Sequence, residues 1–388
     1  MNIPLSVPNF EGNEEKYVTQ AVREGWVSTG GAYISKLEEK LAEFLKVPMT
    51  VACQSGTSAL HMALVEAGVE AGDYVIVPTL TFIAAVNPVK YQLAEPIFMD
   101  CDESFCMDTQ KLTSFVEEEC SFDGERLKLK ADGKVIKALV VVHVFGNMAD
   151  METIMELSEK YHVKVIEDAT EALGTYYTEG KYKGKYAGTI GDFGAYSFNG
   201  NKIITTGGGG ALTAKNIEEL KHIKYLSTQA KDDGLYYVHN EIGYNYRMTN
   251  LQAALGVAQL EMLPEFIKRK NANYEFYKKL LANKEQCCLR EFKQNIYSNK
   301  WFYALEIKQS NGSEDLKKII EKLQECGIQT RPIWGLIHEQ KPYVQSEKYN
   351  ITQAVKECGR IINIPCSTNI TEQEIQYVVE KLDTCVVF

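Results

Sequence analysis

The sequence predicts an α/β protein: a large, mainly parallel sheet covered on both faces, followed by a smaller α+β unit. Two observations carry that prediction. From residue 50 onward, short apolar runs at Thr50–Cys53, Tyr74–Pro78, Pro96–Met99, Ala138–Val142 and Lys164–Ile166 alternate with helix-length segments, the rhythm of a doubly covered sheet. A long amphipathic stretch then runs from Thr249 to about Leu281, and strand–helix pairs begin again at Trp301–Ile307 and Ile328–Arg331. A chain of 388 residues is long enough for two domains. The expected division is residues 1–249 for the large domain with its N-terminal segment, and 250–388 for the long helix and a smaller domain hinged on it.

Taken in order, Asn13 is placed to cap a first helix through Arg23, with Gly25 as its stop. Ile34, Leu37, Leu41, Phe44 and Leu45 recur at helical spacing and predict a second helix. Residues 116–134, rich in Glu, Lys, Asp and Gly, interrupt the rhythm and read as a surface insertion. Asp192–Phe198 reads as a buried strand and 199–201 as a turn, while Gly207–Gly210 calls for backbone that is thin or of positive φ. Lys202 lies between them, where a lysine is placed rather than merely solvated; the other reading is a solvated surface lysine beside an ordinary glycine loop.

Composition narrows the function classes. The net charge of -10, from 42 basic and 52 acidic residues, has no basic cluster, which argues against nucleic acid as the main partner. The N-terminus has neither a basic head nor an apolar run of signal length, and no apolar segment approaches a membrane span. A cytoplasmic protein with no membrane partner is expected. The ten cysteines are scattered without a Cys-x-x-Cys pair, so free buried thiols are expected rather than disulfides or a metal site.

Three stretches could carry chemistry. Gln54–His61 lies where a strand gives way to a helix, so the amides of Gly56, Thr57 and Ser58 and the helix dipole could face a phosphate. The other reading is that Ser55 or Thr57 only caps the helix. Asp168, followed by Glu171, ends another inner strand, at the edge where open α/β sheets bind ligands; alternatively it caps the next helix. A carboxylate fixed in a dry cleft holds a cation and raises its partner's pKa by about 1 to 3. Lys202 is the third element.

A phosphate cradle, a carboxylate for a ring nitrogen and a lysine for an aldehyde are together what pyridoxal phosphate (PLP) requires. On these motifs, and from Pro8–Asn13 to the C-terminal helix, the chain resembles the DegT/DnrJ/StrS sugar aminotransferases, which are fold-type-I PLP enzymes. The resemblance implies Lys202 as the Schiff-base lysine and Asp168 as the partner of the pyridinium nitrogen. It implies Thr57, Ser58 and Ser197, with Gly56, around the phosphate, and Phe82 stacked on the ring. Glu171 stands near the ring oxygen, where Gln or His is commoner. Asn245, in Gly243–Asn250, matches the asparagine that reaches the phosphate of the neighbouring subunit's cofactor, which implies a homodimer with shared sites.

Ser197-Phe-Asn stands where many members read Ser-Phe-His. With Ile203–Thr206 and Ser227–Ala230, it resembles the branch that aminates C4 of nucleotide-linked 4-keto-6-deoxy (acetamido) sugars for bacillosamine or legionaminic acid, with glutamate as donor. In that branch Thr330–Trp334 and His338 lie near the sugar; a surface histidine is the other reading of His338. Arg247 and Arg331 are the candidate cations for anionic substrates, ahead of Lys231, because a guanidinium grips a phosphate or carboxylate with two hydrogen bonds. Plain surface charge is the alternative for both.

A 3-aminotransferase is the near rival. A sugar dehydratase of similar build carries histidine at the lysine position, and Lys202 speaks against it. A dinucleotide-binding oxidoreductase would want Gly-x-Gly-x-x-Gly where this chain reads Gln54–Ala59. A PLP-binding regulator would bring a basic helix-turn-helix segment, and none is visible.

Overall fold

In the computed structural model, which describes residues 1–310 and 312–386, the apolar runs from residue 50 assemble into one sheet. Among the described residues it has eight strands. Their order is Val51–Cys53, Gly210–Ala214, Phe193–Ser197, Lys164–Asp168, Ile136–Val142, Tyr74–Pro78, Glu95–Met99 and Glu347–Tyr349. Gly210–Ala214 runs antiparallel to both neighbours, and every pairing from Phe193–Ser197 onward is parallel. Val51–Cys53 and Tyr74–Pro78 are buried at every position, as strands covered on both faces must be. Asp168 is the last residue of its strand, between Val142 and Ala195. It therefore stands at the carboxyl edge of the sheet, the side on which open α/β folds bind ligands.

The two N-terminal helices are Glu14–Arg23 and Ala32–Leu45. Asn13 does not cap the first: its backbone (φ -94, ψ 17) is not in the extended conformation of a capping residue. Its amide donates instead to Glu261 Oε2 at 3.0 Å. Residues 116–134 are not irregular. They hold the end of the helix Thr109–Glu119 and an antiparallel hairpin, Cys120–Phe122 with Leu127–Leu129.

The long helix is Asn250–Leu281, started by a reciprocal cap in which Thr249 Oγ1 accepts from Gln252 N and Gln252 Oε1 accepts from Thr249 N. It packs on both N-terminal helices and on the last helix, Glu372–Cys385. Beyond it lies an antiparallel sheet in the order Cys287–Leu289, Tyr303–Ile307, Ile361–Ile364, Arg331–Pro332. Glu347–Tyr349 leaves this region to extend the large sheet beside Glu95–Met99. Among the described residues no helix is long and apolar enough to cross a membrane, and no disulfide joins any of the cysteines.

Candidate active site

Lys202 is held by the turn after Phe193–Ser197, where its backbone N–H donates to Asn199 O at 3.0 Å. It lines a cleft of about 750 Å³, together with Asp168, Glu171, Gly56, Thr57 and Ser197. Its Nζ lies 3.8 Å from Glu171 Oε1 and 4.1 Å from the centre of the Trp301 ring. Burial pushes the amine below the ordinary lysine range, against the pull of Glu171 and Asp168. A lysine with a lowered pKa has more of the neutral amine that attacks a carbonyl.

Asp168 is buried, and its Oδ1 accepts from Thr170 N at 3.0 Å. No helix begins after it within 169–175, so the capping alternative falls away. Burial pushes its carboxyl up, opposed by the bonds from Thr170 and the charges of Lys202 and His143. A cationic ring nitrogen bound there would favour the ionised form. Glu171 accepts at Oε2 from Phe145 N at 2.9 Å. Phe145 at φ 55 and Gly146 at φ 94 are both left-handed at this turn, a conformation that a phenylalanine adopts only under constraint. Burial raises the Glu171 carboxyl to about 7.

At the other end of the cleft both readings of Gln54–His61 apply. Ser55 Oγ accepts from Ser58 N at 3.0 Å and so caps the helix Gly56–Glu66. The amides of Gly56 and Thr57, which have no carbonyl within the helix to bond, are left on the cleft wall beside Ser197. Ser58 must be corrected: its amide and hydroxyl both face Ser55 Oγ, the latter at 2.8 Å, and it does not line the cleft. A Cβ on Gly56 would fall 2.9 Å from Ser197 Cβ, and one on Gly210 would fall 2.5 Å from the Ser55 carbonyl carbon. The backbone is kept thin where an anion has to come close. Phe82, 56% exposed, lines the cleft and has a face free to cover a flat ring.

The expected substrate residues divide. Arg331 lines the cleft, and its Nη1 donates to Thr330 O at 2.9 Å. Among the described residues, Arg331 and Lys202 are the lysines and arginines of the lining. Arg247 is not part of the cleft. Its buried guanidinium bonds the Glu38 carboxylate and, at 3.2 Å, Ala52 O, so it clamps the helix Ala32–Leu45 to the first strand. His338 is neither a surface histidine nor a cleft residue: it is buried, with Nδ1 2.6 Å from Thr79 Oγ1, and burial lowers its pKa. Asn245 is exposed and outside its own chain's cleft, on a segment bridged to Thr228. Lys231 sits on an exposed hairpin with Val238–His239.

Three residues escaped the sequence reading: Phe145, whose N–H bonds Glu171, and Trp301 and Asn363 from the C-terminal region, the last two lining the cleft beside Trp334 of the expected Thr330–Trp334 stretch. For Asn363 a signal existed, a lone polar residue in the apolar strand Ile361–Ile364. Its Oδ1 is buried without a hydrogen-bond partner among the described residues.

Two unengaged amides beside a serine hydroxyl suit a phosphate, a dry carboxylate suits a ring cation, and a lysine of lowered pKa suits an aldehyde. With the mainly parallel sheet, these define the class: a fold-type-I PLP enzyme. The sequence profile of the DegT/DnrJ/EryC1/StrS aminotransferase family matches residues 8–383, and the chain belongs to that family. It is similar to the "putative pyridoxal phosphate-dependent aminotransferase EpsN" of Bacillus subtilis strain 168, at 36% identity over 386 residues, 98% of this chain and 95% of the relative. It is also similar to the GDP-perosamine synthase of Escherichia coli O157:H7, at 36% identity over 383 residues and 98% of each chain. Among solved structures, Spr1654 of Streptococcus pneumoniae in its PLP form shares the fold, with a TM-score of 0.87, 23% identity, and 100% of this chain and 99% of that one covered. The protein is an enzyme, a PLP-dependent aminotransferase.

Proposed function

We propose that the enzyme transfers an amino group from glutamate to C4 of a nucleotide-linked 4-keto-6-deoxy sugar, in the cytoplasm and as a homodimer with shared active sites. The observation that carries the reading is the convergence of Lys202, Asp168 and the Gly56 and Thr57 amides on one cleft. The acetamido sugars of bacillosamine or legionaminic acid synthesis rest on the resemblance alone. Similarity to a GDP-perosamine synthase over nearly the whole of both chains supports a GDP-linked sugar without the acetamido group as a second reading.

The bound cofactor supplies an electron sink for the pair released at the donor's α-carbon and carries the amino group between the two substrates. The chain's own residues do the rest. Lys202 would hold the cofactor by its aldehyde and, as the free amine, would move a proton at the donor's α-carbon. Asp168 keeps the ring nitrogen protonated. The Gly56 and Thr57 amides with Ser197 would hold the phosphate, Phe82 would cover the ring, and Glu171 would serve the ring oxygen. Arg331 grips a carboxylate or phosphate of the substrates. Asn245 completes the partner's phosphate site. Its surroundings support that role, because Leu235, Tyr236, Tyr237 and Ile242 on the same segment are 75%, 75%, 73% and 88% exposed and call for a covering partner. In this reading the chain divides into a large domain of residues 1–249 and a unit of residues 250–388 made of the long helix and the small domain.

Incubation with glutamate and a panel of UDP- and GDP-linked 4-keto sugars tests it. The product is expected to carry nitrogen at C4 in place of the ketone by NMR. An amine at C3, or transfer only to free keto acids, contradicts it.

A further inference from the structure

Trp301 has no part in that reading, yet its ring faces Lys202 Nζ at 4.1 Å, well inside the roughly 6 Å reach of a cation–π contact. Three contacts fix the ring. Its indole Nε1–H donates at 2.8 Å to Asn201 O, the residue before Lys202. Its own carbonyl accepts at 2.6 Å from Lys270 Nζ, which also donates to Cys366 O at 2.5 Å. Its plane lies on Phe302, with centres 3.9 Å apart and 7° between planes. Lys270 is a buried amine on the long helix, used here to tether two backbone carbonyls of the C-terminal region. A tryptophan held at its backbone, its edge and one face has little freedom to leave the lysine.

We propose that Trp301 is a positioning residue for Lys202: its indole face, together with the Glu171 carboxylate 3.8 Å from Nζ, holds the lysine ammonium whenever the lysine is not bonded to the cofactor. The proposal rests on the reading of Lys202 as the cofactor-bonding lysine. Between its two covalent engagements the lysine must stay near the reacting carbon, and a side chain with four rotatable bonds otherwise wanders. The charged groups facing Nζ are Glu171 and, at the strand end, Asp168. Both attract the ammonium, as the indole face does. An aliphatic replacement of Trp301 removes one attraction for the charged form and none for the neutral amine, so the lysine titrates at lower pH and is less confined.

The test uses the PLP-loaded enzyme and glutamate with no acceptor sugar, followed by visible absorbance in a rapid mixer, so it is independent of the sugar assignment. Trp301→Leu is expected to keep its bound PLP and a glutamate affinity within about threefold of wild type. Its rate at saturating glutamate should fall about tenfold, and the pH limb due to Lys202 should move down by about half a pH unit. Trp301→Phe retains a face while losing the bond to Asn201, and should stay within about threefold in rate. Borohydride fixation in the wild type separates the two levels of the claim. A label on a lysine other than Lys202 removes the premise and the proposal together. A label on Lys202 with a Trp301→Leu enzyme of unchanged rate and pH profile overturns the positioning role alone. Should the leucine variant fail to hold PLP, Trp301→Phe decides: a near-normal rate and profile supports the face, and a tenfold loss with PLP bound overturns it.

Discussion

The two walls of the cleft differ in how far their polar groups are already engaged. On the large-sheet wall, Asp168 holds Thr170 N–H, Glu171 holds Phe145 N–H and Ser55 Oγ is used in capping its helix, which leaves the Gly56 and Thr57 amides for the anion. On the small-sheet wall, among the described residues, the Arg331 guanidinium has a single hydrogen bond, to the neighbouring carbonyl, and Asn363 Oδ1 is buried with no partner. A buried acceptor left unpaired costs about 1–3 kcal/mol, a cost that a bound donor removes. The first wall is preorganised for a group that stays, and the second is left incomplete for substrates that come and go.

That contrast can be broken at named residues. The largest effect is expected from Lys202→Ala, which should lower turnover by about a thousandfold or more while the protein still folds; retained transfer to the sugar ketone would end the assignment. Arg247→Met comes next and acts elsewhere. It leaves Glu38 short of a buried partner and should destabilise the fold by about 3 kcal/mol in urea titration, with substrate KM unchanged in the folded fraction. Asp168→Asn should keep the circular dichroism of the wild type and react about a hundredfold more slowly, because a neutral amide no longer holds the ring nitrogen protonated. A near-normal rate would refute that role. On the other wall, Arg331→Met should raise KM for glutamate or the nucleotide sugar by about tenfold or more, the worth of a charged hydrogen bond, with the absorbance of bound PLP unchanged. If PLP is lost instead, the division between the walls is wrong.

The smallest effect sharpens the comparison through pH. Burial raises the Glu171 carboxyl from 4.5 to about 7, so the folded state binds a proton there that the unfolded chain gives up. Stability is therefore lost as pH rises from about 4.5 through about 7. Cofactor-free Glu171→Gln should gain about 1–2 kcal/mol over wild type at pH 8 in thermal denaturation, and little or nothing at pH 4.5. Equal differences at both pH values would mean that the carboxyl is not buried as described.

The large-sheet wall was readable in the sequence because its signals are short in range. A carboxylate follows an apolar run, a small-residue stretch opens a helix, and a lysine sits between a strand and a glycine run. The misread residues have distant partners. Arg247 meets a carboxylate 209 positions away, and His338 meets a hydroxyl 259 positions away, so from local sequence both look like free polar groups. Trp301 reaches the Lys202 turn across 100 residues and passed for the start of a core strand. The edge strand Glu347–Tyr349 is mostly exposed and polar, so no apolar run announced it. Ser58 was misread for a local reason, since the pattern of small residues at a helix start does not say which of them is consumed in capping.

The most direct test of the central claim is to fix the PLP-loaded enzyme with borohydride, digest it and locate the labelled lysine by mass spectrometry. The account predicts a label on Lys202, in the peptide that follows Ser197-Phe-Asn. A label on Lys270, the buried lysine that here only tethers the C-terminal region, or on any other lysine, would contradict it.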